Sequence, residues 1–108
     1  MLMDWLLPWR HLPDRTLDEP VAQELQRELC SEHVLFGISV QPIGRRQDCD
    51  DVLFELLDGS KRLAVVHLTY AQHPEANSAW PETRLFDSLE DFIRDEMLPA
   101  NVAWGGVG

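Results

Sequence analysis

Hydrophobic positions are densest between Val52 and Tyr70, where the chain reads VLFELLDGSKRLAVVHLTY. Two runs of branched and aromatic residues flank Asp58-Gly59-Ser60-Lys61, and Gly59 can take the positive φ that a tight turn requires. The pattern predicts a β-hairpin with strands at about Val52–Leu57 and Arg62–Tyr70. A four-residue turn sets Val52, Phe54 and Leu56 on one face with Leu63, Val65 and His67. Leu53, Glu55 and Leu57 then share the other face with Ala64, Val66, Leu68 and Tyr70. Both faces are largely apolar, so the hairpin should be covered on both sides or lie centrally.

Upstream, Thr16 or Asp18 can cap a helix with Pro20 in its first turn. Val21, Ala22, Leu25 and Leu29 recur at helical spacing over about Glu19–Cys30. Gln23, Glu24, Gln26, Arg27 and Glu28 form the expected solvated face. Val34, Phe36, Ile38 and Val40 then alternate with more polar neighbours, which predicts a strand ended by Pro42 and Gly44. Residues 44–51, GRRQDCDD, carry no apolar period and read as a charged loop.

Downstream, residues 71–81 are loop-like, and Thr83–Phe86 can add a short edge strand. Ser88 with Asp91 makes a cap for a second helix with an apolar stripe at Leu89, Phe92, Ile93 and Met97, ending before Pro99. The order predicted is α-β-β-β-α. This is an α+β two-layer domain, a three-stranded antiparallel meander with both helices on one face. Residues 1–15 are expected as an irregular arm broken by Pro8 and Pro13, 16–104 as a single domain, and 105–108 as a disordered tail.

Composition narrows the function classes. A chain of 108 residues fits one domain, and its 44% apolar content is that of a globular protein. No apolar run approaches the roughly 20 residues of a membrane-spanning helix, and the N-terminus lacks a basic leader and cleavage site. Two cysteines, Cys30 and Cys49, are too few for a secreted disulfide scaffold, so free thiols and a cytoplasmic location are expected. Nineteen acidic residues against nine basic give a net charge of -10. That charge repels phosphate backbones, argues against nucleic-acid binding, and leaves attraction to a basic partner.

The strand His67-Leu68-Thr69-Tyr70, the loop Trp80-Pro81-Glu82-Thr83 and the helix from Ser88 to Pro99 resemble a group of small uncharacterised bacterial proteins. Members of that group share a His-Leu-Thr-aromatic strand, a Trp-Pro-x-Thr loop and a closing helix ending near Met-Leu-Pro. Tyr70 stands where the pattern has tryptophan. The resemblance covers the C-terminal half, implies a compact stand-alone domain, and implies no activity.

Candidate chemistry centres on His67, a histidine in an apolar strand. Such a residue is either a hydrogen-bonded structural group or a tuned acid or base, with Thr69, Glu82 and Thr83 as candidate catalytic neighbours. Cys30, His33, Cys49, His67 and His73 offer only one close pair of metal ligands, so no metal site and no cofactor is expected. Asp48, Asp50 and Asp51 lack the glycine and distal glutamate of a calcium loop. They also disfavour a Cys49 thiolate, and Cys30 sits at the negative end of a helix. Trp5, Trp9, Trp80 and Trp104, with Tyr70, are candidate interface residues; the competing reading makes the tryptophans ordinary core. Two function hypotheses follow. One is a small acidic interaction or accessory module, binding another protein or itself as a homodimer. The other is a cofactor-free enzyme with His67 as general acid or base.

Overall fold

In the computed structural model of the protein, residues 5–11, 23–69 and 81–105 are described. Five strands, β1 (Trp9–His11), β2 (Val40–Arg46), β3 (Asp51–Leu56), β4 (Leu63–His67) and β5 (Glu82–Phe86), pair antiparallel in chain order. Helix α1 includes residues 23–28, and helix α2 runs over 89–104. The three-stranded, two-layer expectation is therefore corrected to a five-stranded sheet. The arm contributes β1, the strand expected at Val34–Val40 is displaced to β2, and the short edge strand expected at Thr83–Phe86 is present as β5.

The two helices lie on opposite faces of this sheet. On one face, Leu25, Leu29 and Leu35 pack on Val52, Phe54, Leu56, Ala64, Val66 and Leu68. On the other, Trp9, Phe92 and Met97 pack on Leu53, Leu63 and Val65, with Trp5, Ile43 and Phe86 at the margin. The physical reason is the hairpin itself. Each of its apolar faces must leave water, and one pair of helices stacked on one side would leave the other bare. Trp9 is fully buried, and its indole N–H has no acceptor among the described residues.

The hairpin register also differs from expectation. Leu56 N–H donates to Arg62 O at 3.0 Å, and Leu53 pairs with Val65. The connection is longer than four residues because Asp58 Oδ1 accepts from both Ser60 N–H and Ser60 Oγ–H. Gly59 and Lys61 both take positive φ, 86° and 63°. The shift moves every β4 side chain to the other partner set. His67 therefore shares a face with Leu53, Leu63 and Val65, not with Val52, Phe54 and Leu56.

Four local readings change with tertiary context. Residues 31–37 are turns, with Val34 and Phe36 more than half exposed. His33 holds them: its Nδ1 accepts from Leu35 N–H at 3.0 Å, while Nε2 reaches Pro81 O at 2.9 Å. Strand β2 then runs through Pro42 and Gly44 by means of a bulge between them, where a proline needs no ladder donor. Glu24 and Glu28, expected on a solvated face, are buried, and Glu28 Oε1 accepts from Thr69 N–H and Oγ–H. Helix α2 continues past Pro99 instead of ending there. One π turn, Ile93–Met97, precedes the proline, with Leu98 N–H bonded to Ile93 O. Pro99 has no N–H to give the preceding turn, and the wider register accommodates that loss. Among the described residues no helix is long and apolar enough to cross a membrane.

Candidate functional site

The antiparallel pairing sets Asp51 opposite His67 and His67 opposite Glu82, so three polar side chains form a row across β3, β4 and β5. Cross-strand partners share a face. In the next row Val65 lies opposite Arg84. These residues and Arg46 line an open cleft of about 470 Å3 on the α2 face of the sheet.

An alternating chain of charge runs along the cleft. His67 Nδ1 lies 2.7 Å from Asp51 Oδ1, and Asp51 Oδ2 accepts from Arg84 Nη2–H at 3.3 Å. Arg84 gives its other arm to Glu96 Oε2. Glu96 is buried and belongs to the π turn, so the widened turn carries it to the cleft. Arg46 Nη1 approaches Glu96 at 4.0 Å and binds Asp48 through two bonds, 2.9 and 2.8 Å. The bond to Arg46 holds the Asp48 carboxyl below the usual carboxylate range. Both guanidinium groups are thus committed to carboxylates. The Asp51 contact fixes the His67 ring with Nε2 turned away from that partner, and the side chain is 45% exposed. Neither Nε2 nor the Glu82 carboxylate has a partner among the described residues.

Of the proposed catalytic neighbours, only Glu82 joins His67. Thr69 is bound to Glu28. Thr83, opposite Val66 on the α1 face, donates its hydroxyl proton to Pro81 O at 3.0 Å and lies 3.2 Å from His33 Nε2. The aromatic candidates separate similarly. Trp9 is core and Trp5 is half-buried, stacked on His11 with centroids 5.7 Å apart. Trp104 is partly exposed at the end of α2, whereas Tyr70 and Trp80 lie outside the described residues. His73, the helix caps Thr16 and Asp18, and residues 106–108 of the tail also lie outside them.

Among the described residues no three His, Cys, Asp or Glu side chains converge as a metal site. Cys30 and Cys49 are free thiols, and burial with the nearby Asp51 charge pushes the Cys49 thiol up. Arg84, Glu96 and Arg46 escaped the sequence reading, and Asp51 entered it only as part of an acidic run, not as a partner of His67. For Asp51 a signal exists: the true hairpin register puts it beside His67. No sequence pattern points to Glu96, because its place depends on which face α2 covers. No protein family, curated protein or solved structure matches this chain.

Proposed function

We propose that the protein is a small accessory module that binds another protein by receiving a basic side chain in the His67–Glu82 cleft. The observation that carries this reading is the sign of the uncommitted groups. Arg46 and Arg84 are each paired with carboxylates, while the two cleft groups without a described partner are both acceptors, Glu82 and, in neutral His67, Nε2. Two guanidinium groups face four carboxylates, Asp48, Asp51, Glu82 and Glu96, within a chain of net charge -10. A lysine or arginine is the complementary ligand; an anion is not. An exposed ion pair contributes only about 0.2–1 kcal/mol, so the cleft supplies specificity and on-rate while the rest of the partner supplies affinity.

The test is NMR titration of the His67 imidazole and the Glu82 amide with arginine amide and, separately, inorganic phosphate. Arginine amide should shift both signals saturably at low salt, and Glu82→Gln should weaken the response several-fold. A response to phosphate with none to arginine amide would sink the proposal.

A second reading keeps His67 as an acid or base, and the 2.7 Å contact with Asp51 favours it, since such a carboxylate orients a catalytic imidazole. Among the described residues the cleft lining contains no hydroxyl or thiol nucleophile, so this reading is confined to proton transfer on a bound molecule. It predicts a ligand that is consumed, not merely held.

A further inference from the structure

Strand β5 forms the cleft wall that carries Glu82 and Arg84, and it is an edge of the sheet, hydrogen-bonded only to β4 among the described residues. Its sequence, ETRLF, has no proline or glycine, and its pairing with β4 runs without a bulge. Glu82, Arg84 and Leu85 are exposed. The opposite edge differs: β1 has three residues and lies beside the bulged strand β2. An edge strand presents unpaired N–H and C=O groups that template another strand unless bulges, prolines or a short length prevent it. The β1 edge is short, while the β5 edge is regular over its whole length.

We propose that β5 takes an extended segment of the partner as a sixth strand, and that this backbone pairing delivers the basic side chain to the cleft. The inference rests on the cation-binding reading above. It adds what kind of partner chain fits. Glu82, Arg84 and Phe86 alternate along β5 and share the α2 face with His67, Val65 and Leu63. A strand laid beside them puts one side chain opposite each. Opposite Glu82 the complement is lysine or arginine, in the row that continues across Glu82 to His67. Opposite Arg84 no charge is required, because Glu96 and Asp51 already hold that guanidinium. Opposite Phe86, itself half-buried against Phe92 at 5.8 Å, the complement is apolar. The recognised pattern is a basic residue and an apolar residue four positions apart in an extended chain. Charge complementarity chooses this occupant. The exposed pair Leu98 and Val102 on α2 carries no charge to choose one.

The probe is the capped heptapeptide acetyl-Thr-Val-Thr-Gln-Thr-Lys-Thr-amide, whose lysine falls opposite Glu82 and valine opposite Phe86 in an antiparallel sixth strand, the direction of every strand pair in this sheet. Its addition should slow exchange of alternate β5 amides by about tenfold or more and shift the His67 and Glu82 signals. N-methylation tests the backbone role. One variant carries methyl groups on the Lys, Gln and Val amides, the other on the inner Thr amides. Because strand hydrogen bonds alternate, one variant should lose the protection and the other should keep it. Equal binding by both variants would mean that side chains alone hold the peptide, and would overturn the inference. If arginine amide shifts Glu82 but the heptapeptide leaves β5 exchange unchanged, the sixth strand is wrong and the cation site stands. If neither probe binds, both fall.

Discussion

Phe92 is the side chain that most directly tests the placement of α2 on its own face of the sheet. It is fully buried and meets Trp9 edge-on at 5.1 Å and Phe86 edge-on at 5.8 Å. Replacing such a phenylalanine with alanine costs about 3–5 kcal/mol, from lost transfer energy and the cavity left behind. Each edge-to-face pair accounts for about 0.5–1.5 kcal/mol of that. A domain of this size has only about 5–15 kcal/mol in total, so Phe92→Ala brings it close to unfolding. Phe92→Leu keeps most of the volume and loses the ring contacts, for an expected cost of about 1–2 kcal/mol. Leu25 is equally buried but belongs to the core on the α1 face. Urea denaturation of Leu25→Val, Phe92→Leu and the double variant should therefore show additivity within about 0.5 kcal/mol. By contrast, Phe92→Leu combined with Trp9→Leu should depart from additivity by about 0.5–1.5 kcal/mol, because those rings touch. Coupling between Leu25 and Phe92 above about 1 kcal/mol would mean that the two helices share one core, and would refute the opposite-face arrangement.

Three further outcomes are expected. A Cβ on Gly44 would stand inside the ring envelope of Trp5 and 3.2 Å from Arg10 O, so Gly44→Ala should cost about 1–3 kcal/mol and alter Trp5 fluorescence; a variant matching the parent in both would disprove the close approach. Burial and the Asp51 charge raise the Cys49 thiol, so its alkylation at mildly alkaline pH should run several-fold slower than that of an unstructured cysteine peptide, and a faster rate would contradict the account. The Asp48 carboxyl, lowered by its bond to Arg46, contributes stability present above its unfolded pKa and lost as pH falls through the lower folded value; a 13C carboxylate midpoint at or above about 3.9 would remove that contribution.

Several elements were legible because their signals are local. Ser88 accepts from Asp91 N–H at 3.2 Å as the cap pattern predicts, and Leu25 and Leu29 face the core as their spacing requires. The doubly apolar hairpin announced cover on both sides, although not what would supply it. Other features were illegible because remote groups decide them. The alternation from Val34 to Val40 is as strand-like as any in the chain. The bond from His33 to Pro81 O, 48 residues away, holds the start of that segment as turns. Glu28 belongs by helical period to a polar face, but Thr69 at the end of β4 supplies donors that compensate its burial.

The same division governs the candidate site. By itself the sequence determined a hairpin with two apolar faces, a charge of -10 and a histidine inside a strand, since composition and period-two alternation need no distant partner. Only the tertiary structure decided which face His67 occupies, because a slip of one residue in pairing reverses every side chain and the Asp58–Ser60 bonds set that slip. It also decided that Asp51, Glu82 and Arg84 meet His67 and that Glu96 reaches them. Those contacts come from three strands and a helix brought together by burying both faces of one hairpin.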